Sequence, residues 1–263
     1  MAADGIELRP TIDRTWLVRA AALEPVEHAY ALWDLERHPG RVRFLSAVRG
    51  ERTVGYLLLW PGPGGVPIVH GYLPPDAVAA LVGELPVRPL VAILPPGAAA
   101  AVRAARGAGR EFPERILHRP WRATGGSEAP GVRRLGAHDS DAVTAWARRQ
   151  AAPETAEYVG LDLGDEVAWG AFDGGRLVGV ARAEIRLPHE WVVAGVFVEP
   201  ADRGRGHGAA LVDAAVRAAA GAKASVGLFV RDDRPAARRL YARHGFVEVG
   251  QRVWFDLGAG FEP

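Results

Sequence analysis

The chain has 263 residues, enough for one large domain or two of ordinary size, and 49% of them are hydrophobic. Its net charge of +1 gives no general attraction to nucleic acid or to an anionic membrane surface. The absence of cysteine excludes disulfides, thiolate metal ligands and a cysteine nucleophile, and is compatible with a reducing cytoplasm. No secretion signal and no apolar run of membrane-spanning length is visible, so we expect a soluble cytoplasmic protein that binds neither membrane nor nucleic acid.

The first half of the chain predicts one α/β domain. Apolar residues at helical spacing predict a helix over residues 23–37. Two β-rich runs, 42–49 and 52–60, meet at Gly50-Glu51 and predict a hairpin. The pattern after them predicts a strand, a helix, a strand, an alanine-rich helix and a last strand, over residues 66–70, 75–85, 90–94, 96–106 and 116–121.

The second half repeats this order of elements. A run rich in glycine and proline predicts a linker over residues 124–131, between domains spanning 1–123 and 132–263. The turn Asp173-Gly174-Gly175 predicts a hairpin. The predicted strands, helices and closing hairpin of this half cover residues 132–135, 140–150, 153–158, 167–172, 177–185, 192–198, 209–221, 224–230, 235–245, 247–249 and 252–257. The repeated order indicates that the second domain has a degenerate copy in the first.

A glycine-rich loop precedes the helix predicted over residues 209–221. It reads Arg203-Gly204-Arg205-Gly206-His207-Gly208 and follows an apolar strand. Glycines leave the backbone bare, so that a ligand can approach the N–H groups closely. The first N–H groups of a helix have no internal partner and carry the positive end of the helix dipole. The loop therefore predicts a site for a phosphate or pyrophosphate, with Arg203 and Arg205 adding positive charge.

Three other interpretations of these glycines compete with this one. The dinucleotide fingerprint needs two residues between its second and third glycines, and this loop has one. A nucleotide P-loop ends in Gly-Lys-Ser or Gly-Lys-Thr, and this loop does not. The remaining alternative, a glycine-rich turn with solvated arginines, stays open on the loop alone.

A second motif follows the strand predicted over residues 224–230. It has the form Ala-x-x-x-Tyr-x-x-x-Gly-Phe and carries Tyr241, Gly245 and Phe246. Leu240 and Tyr241 fit a helical apolar face, and Gly245 is placed as the C-terminal cap of that helix. The two motifs in this order and separation are more specific than either one alone.

Together the two motifs resemble the acetyl-CoA loop and the downstream helix of the GNAT superfamily of N-acetyltransferases, over residues 132–257. The resemblance implies an α/β fold with a mixed sheet. It implies two GNAT-like domains in tandem, each a mostly antiparallel twisted sheet flanked by helices. The first would be degenerate, because its equivalent of the loop, Tyr72-Leu-Pro-Pro-Asp76, has no matching glycines and two prolines that lack N–H groups.

The resemblance also assigns the binding of acetyl-CoA as co-substrate. It places the cofactor along the backbone of the central strand and over the glycine loop, at Val196, Phe197, Val198, Arg203, Gly204, Arg205, Gly206, His207 and Gly208. Family members often carry asparagine seven residues before the tyrosine, where this chain has Arg234. Either the pantetheine arm is held differently here, or Arg234 contacts a phosphate instead.

Two side chains are candidates for the chemistry. Tyr241 matches the tyrosine that protonates the departing thiolate in GNAT enzymes; its alternative role is a core residue with a locally bonded hydroxyl. Glu184 is the candidate base, although it also fits the solvent side of an alternating strand. Gly195 is expected either to mark a bulge that exposes the backbone of the central strand or to allow tight packing. The histidines show no metal-ligand spacing, so no metal is expected.

The function expected from these residues is N-acetylation of a primary amine, by direct attack in a ternary complex. The acceptor, a small molecule or a peptide, is not identified, and neither is the oligomeric state, monomer or homodimer. Two alternatives remain: a non-catalytic acyl-CoA-binding or sensing protein, and a scaffold whose first half binds a partner.

Overall fold

A computed structural model describes residues 5–62, 65–74, 77, 85, 90–107, 109–125, 129–150, 153–258 and 260 of the chain. The contacts divide it into two compact units, which are described separately. The first unit comprises Met1–Arg115 and Gly250–Pro263, and the second comprises Ile116–Val249. Among the described residues, none of the helices combines the length and the apolar character that a membrane span requires.

The first unit is a mixed sheet with helices. Its helices are α1 (Arg14–Leu23), α2 (Pro25–Arg37) and α3 (Ala99–Arg106), and its strands are β1 (Ile6–Arg9), β2 (Arg43–Arg49), β3 (Arg52–Pro61), β4 (Pro67–Tyr72) and β5 (Leu90–Leu94). Two further strands, β6 (Arg110–Arg119) and β12 (Val247–Leu257), have residues in both units. The strand order in this unit is β1-β2-β3-β4-β5-β12, and only β4 and β5 are parallel among the pairs with a known register.

Local signals explain most of these elements. The hairpin of β2 and β3 is confirmed, with Gly50 at φ +60° in its turn. The apolar pattern predicts one helix over 23–37, whereas the structure has two helices between residues 14 and 37. The helix that was missed, α1, begins after Asp13, whose Oδ1 accepts a hydrogen bond from the Trp16 N–H at 2.9 Å. Pro25 then starts α2. The helix predicted over 75–85 lies outside the described residues, except for Ala77 and Leu85.

The last strand of the chain differs from its prediction. Residues 247–249 and 252–257 were predicted as a hairpin, but β12 is a single strand. Its residues Val253–Leu257 pair antiparallel with Leu94–Leu90 of β5. A buried ion pair at 2.6 Å also joins Arg252 of β12 to Glu114 of β6. Residues 250–263 therefore belong to the first compact unit. The sequence prediction places them in the second domain, residues 132–263.

The second unit contains both motifs. Its helices are α4 (Ser140–Gln150), α5 (His207–Gly221) and α6 (Pro235–Arg243), and its strands are β7 (Val132–Arg134), β8 (Val167–Asp173), β9 (Arg176–Arg186), β10 (Glu190–Val198) and β11 (Ser225–Arg231). The strand order is β6-β11-β10-β9-β8-β7. The hairpin of β8 and β9 is confirmed, with Gly174 and Gly175 at positive φ.

Helix α5 packs on one face of this sheet. Alanines and valines of the helix, such as Ala215 and Val216, form one buried cluster with Trp169, Val193 and Leu228 of the strands. Helix α4 contributes Trp146 to a separate cluster with Phe197. The predicted α/β fold with a mixed sheet flanked by helices is confirmed.

Candidate functional site

The central strands of the second unit separate partway along their length. Strands β10 and β11 are parallel and pair only from Glu190–Ser225 to Val192–Gly227. Strand β10 continues to Val198 and β11 to Arg231. The structure describes all residues of 193–198 and 228–231. No further pair joins β10 and β11 over these residues. The backbone groups on one edge of β10 are therefore available to an extended ligand, as those of an edge strand are.

Gly195 forms a bulge on the opposite edge of β10. The pairing with β9 passes from Ala194–Arg182 to Phe197–Val180, so β10 contains one extra residue here. Gly195 has φ +58°, which favours glycine over residues with a side chain. Its carbonyl oxygen accepts a hydrogen bond from the Tyr158 hydroxyl at 2.8 Å. Of the two alternatives that the sequence left open for Gly195, a bulge and tight packing, the structure has the bulge. Tyr158 was not predicted, because no sequence spacing links it to β10.

The glycine loop presents an uncapped helix N-terminus. Gly204 and Gly206 have φ +79° and +89°, and apart from their chain neighbours no described residue has an atom within 4 Å of a Cβ added to either one. Gly206 is the N-cap of α5 and offers no side chain to the first N–H groups of the helix. The first helical hydrogen bond runs from the Ala210 N–H to the Gly206 carbonyl at 3.0 Å. The N–H groups of residues 207–209 thus carry the positive end of the dipole without an intrahelical partner.

A network of carboxylates holds the base of this loop. Asp202, which is buried, accepts hydrogen bonds from Arg176 at 2.7 Å and from Arg205 at 3.0 Å. The bond from Arg176 is the main reason that the pKa of Asp202 is lowered. Arg176 also pairs with Glu199, which accepts a hydrogen bond from the Trp146 indole at 2.6 Å. The loop is therefore fixed from the side of β9 and α4.

The two loop arginines differ in their surroundings. Arg205 Nη1 donates to Asp173 Oδ2 at 2.7 Å as well as to Asp202, so its charge is partly neutralised within the chain. Arg203 donates from Nε to the Val198 carbonyl at 3.0 Å, and its side chain is exposed. His207 opens α5, and its Nε2 is buried without a hydrogen-bond partner among the described residues.

Tyr241 lies on α6 and is 7% exposed. Its ring contacts that of Phe246 edge to face, with the centroids 5.8 Å apart. Burial raises the pKa of its phenol to about 12, which keeps the proton on Oη at neutral pH. Within the described residues the hydroxyl has no hydrogen-bond partner. This side chain can therefore donate its proton to a ligand.

Helix α6 is held against the helix that carries the loop. A Cβ added to Gly208 would lie 3.5 Å from Leu240 Cδ2, an ordinary van der Waals contact. His244 Nε2 lies 3.3 Å from Asp213 Oδ1 of α5. Leu240 of α6 thus lies beside the first turn of α5, and His244, the C-cap residue of α6, lies beside the middle of α5.

Two other candidate residues have charged neighbours. Glu184 occupies a bulge in β9, because Val192–Ile185 is followed by Val193–Ala183. Its Oε1 accepts a hydrogen bond from Arg182 at 2.9 Å, a partner that sequence analysis did not foresee. Arg234 is the N-cap residue of α6 and lies 3.7 Å from the Asp233 carboxylate. Among the described residues, no group of three or more histidine, aspartate and glutamate side chains is arranged to hold a metal.

The first unit contains buried ionisable groups that sequence analysis also missed. His28 Nδ1 lies 3.2 Å from the Tyr56 hydroxyl, and His70 Nε2 lies 4.0 Å from Glu27 Oε1. Burial lowers the pKa of His28 to about 4 and that of His70 to about 3. Burial raises the pKa of Glu27 to about 7. All three groups therefore favour the neutral form inside the unit.

These shifts predict opposite effects of pH on stability. The histidines ordinarily titrate near pH 6.5, so their stabilisation is present above that pH and is lost as the pH falls toward 4 and 3. Glu27 ordinarily titrates near pH 4.5, so its stabilisation is present below that pH and is lost as the pH rises through about 7. We expect Glu27→Gln to gain stability relative to the native chain by up to about 1 kcal/mol per pH unit across that window. Urea denaturation at a series of pH values measures this difference, and a difference independent of pH would contradict it.

Part of the second half of the chain matches a known protein family. Residues 138–246 match the model of a family described as the acetyltransferase (GNAT) family. A search of curated protein sequences finds no match to the chain.

Solved structures share the fold over nearly the whole chain. A Drosophila protein gives a TM-score of 0.70 at 18% identity, covering 95% of this chain and 98% of its own. A GCN5-related N-acetyltransferase-like protein from Streptococcus suis gives 0.62 at 11% identity, covering 92% and 98%. A GCN5-related N-acetyltransferase from Sphaerobacter thermophilus gives 0.61 at 17% identity, covering 98% of both chains. At these identities the likeness concerns the fold alone. Residues 138–246, which include the open edge of β10, the glycine loop and Tyr241, form a domain of the GNAT family of acetyltransferases.

Proposed function

We propose that the chain transfers the acetyl group of acetyl-CoA to a primary amine, by direct attack within a ternary complex. The observation that carries this proposal is the open edge of β10 beside the uncapped N-terminus of α5. An unpaired strand edge and free helix N–H groups fit a ligand that combines an amide-containing arm with a pyrophosphate. Coenzyme A has both parts.

The pyrophosphate would lie over residues 203–208. The N–H groups that open α5 would bind its oxygens, and the exposed Arg203 would add positive charge. The positive charge of Arg205 is partly neutralised by its ion pairs with Asp173 and Asp202. Arg205 would therefore serve mainly to hold the loop in place. Arg234, the N-cap residue of α6, is a second arginine that would contact a phosphate, beside the Asp233 carboxylate.

The arm would bind along the open edge of β10. Backbone groups of Val196, Phe197 and Val198 would take the place of a neighbouring strand for its amides. When bound, the thioester supplies an activated acetyl group. The bulge at Gly195 interrupts the regular pairing on the other edge of the strand, and the hydrogen bond from Tyr158 fixes its carbonyl. Backbone N–H groups near the bulge would then polarise the reacting carbonyl.

Two side chains would move the protons. Tyr241 Oη would give its proton to the departing thiolate, which agrees with a pKa raised to about 12 and a hydroxyl without a partner among the described residues. Glu184, on the neighbouring strand, is the candidate for taking the proton from the amine, directly or through a water molecule. The acceptor would be a small molecule or a peptide that presents a primary amine.

Removing the hydroxyl of Tyr158 should have a moderate effect on stability and turnover. Tyr158→Phe removes the hydroxyl that bonds the Gly195 carbonyl and keeps the ring. We expect the free energy of unfolding to fall by about 1 kcal/mol and turnover to fall only a fewfold, because the bulge persists without its support. Thermal melts measure the change in stability, and steady-state kinetics on the same variant measure the change in turnover. A loss of turnover as large as that expected for Tyr241→Phe would contradict a supporting role.

The function is tested by release of the free thiol from acetyl-CoA, measured with the full chain against a panel of amines. We expect release that depends on both the enzyme and at least one amine, together with an N-acetylated product in mass spectrometry. Binding of acetyl-CoA with no turnover on any amine would contradict the proposal and indicate a sensing protein. Absence of binding would contradict the assignment of the site itself.

A further inference from the structure

A groove separate from the proposed coenzyme site lies between the sheet of the second unit and α5. Its volume is about 430 Å³, and its walls include Trp169 of β8, Trp191 of β10, and Ala214 and Ala218 of α5. Ala214 comes seven residues after His207, the first residue of α5. At 1.5 Å per residue, the groove begins about 10 Å along the helix from the glycine loop. A ligand there would not overlap with a pyrophosphate on the loop.

Small side chains occupy the strand between the two strands that carry the indole rings. Strand β9 lies between β8 and β10, and its Ala181 pairs opposite Trp169 while its Ala183 pairs opposite Val193. All four belong to the cluster under α5. An alanine side chain fills little of the space between two strands that carry indole rings, and α5 contributes Ala214, Ala218 and Arg217 to the lining. Trp191 is the partly exposed indole of this lining, whereas Trp169 is 3% exposed and is covered by its neighbours.

Two arginines line the same groove. Arg134 comes from β7 and Arg217 from α5. Within the described part of the chain, neither guanidinium forms a hydrogen bond or an ion pair with a side chain, and Arg217 Nη2 is buried without a partner. Leaving a guanidinium donor buried and unpaired is unfavourable, because the lost hydration is not replaced. An anion in the groove would replace it.

We propose that this groove binds a small organic anion with a flat apolar body, such as an aryl carboxylate. The carboxylate would bind Arg217 and Arg134, and the ring would pack mainly against the partly exposed Trp191. The volume falls within the range of small-molecule sites, and one or two fused rings fit it. An inorganic anion would satisfy the arginines but leave the indole faces without contacts. This site is independent of the proposed acetyl transfer.

The test is calorimetric titration of the full chain with indole-3-carboxylate and with the neutral indole-3-carboxamide. We expect the carboxylate to bind at least about tenfold more tightly than the amide, since a hydrogen bond to a charged group contributes roughly 1.5–3 kcal/mol. Arg217→Gln should weaken the carboxylate by a similar factor and leave the amide unchanged. Arg149→Gln, which removes an exposed arginine of α4, is the matched control and should change neither.

Three results would overturn the proposal. The first is no binding of the carboxylate at about 1 mM, and the second is equal affinity for the carboxylate and the amide. The third is competition of the carboxylate with coenzyme A, which would place the probe on the glycine loop instead. Arg134→Gln is a second variant in case Arg217→Gln does not fold, because the Arg134 side chain is exposed and its replacement should not disturb the fold. It should weaken binding of the carboxylate as Arg217→Gln does. Unchanged acetyl-CoA turnover in both variants would separate this site from the catalytic one.

Discussion

Replacing Tyr241 with phenylalanine should lower kcat about 10²–10⁴-fold while leaving the affinity for acetyl-CoA nearly unchanged. The substitution keeps the ring and its edge-to-face contact with Phe246 but removes the proton on Oη. Stability should change little, because the hydroxyl has no hydrogen-bond partner among the described residues. Steady-state kinetics at saturating acetyl-CoA, calorimetry of binding and thermal melts on the same variant measure the three quantities.

A matched control is Tyr56→Phe in the first unit. Tyr56 is fully buried, and its hydroxyl lies 3.2 Å from His28 Nδ1. Removing that hydroxyl should cost about 1 kcal/mol of unfolding free energy and leave kcat unchanged, the opposite of the result expected for Tyr241. Near-normal turnover of Tyr241→Phe would remove this tyrosine from the mechanism and leave solvent as the proton source.

The second large effect is expected at the glycine loop. Gly206→Ala should weaken the binding of acetyl-CoA about 100-fold, because a methyl group would stand where the pyrophosphate approaches the N–H groups of α5. Several charge-assisted hydrogen bonds would be lost or lengthened, each contributing roughly 1.5–3 kcal/mol. No atom of the described residues lies within 4 Å of the added Cβ, so the effect would come from the ligand and not from a clash within the chain.

Backbone strain at Gly206 needs its own control. Its φ of +89° makes any side chain unfavourable, by roughly 1–2 kcal/mol. Gly50, in the hairpin of the first unit, also has positive φ (+60°) and open space around an added Cβ. Gly50→Ala should therefore lower stability to a similar degree and leave acetyl-CoA affinity intact. Equal affinity of the two variants for acetyl-CoA would show that the loop does not bind the pyrophosphate.

The sequence by itself determined the local features of the second unit. The glycines at 204 and 206 adopt the positive φ that only glycine takes readily, and so does Gly245, which follows the C-cap residue of the helix with Tyr241. The turn at 174–175 was predicted for the same reason, whereas for Gly195 the sequence left a bulge and tight packing as alternatives. In each case the preference of a few neighbouring residues fixes the backbone, so that no distant contact is needed to predict it.

Only the tertiary structure decided which distant groups meet. Strand β12 pairs with β5 and not with a hairpin partner, because the open edge of β5 offers a ladder to residues far away in the chain. Three other features also depend on strand order and register. They are the hydrogen bond from Tyr158 to Gly195, the pairing of Arg182 with Glu184, and the groove lined by Trp169 and Trp191. A strand can pair with many partners of similar apolar pattern, and the choice among them is made by the packing of the whole unit.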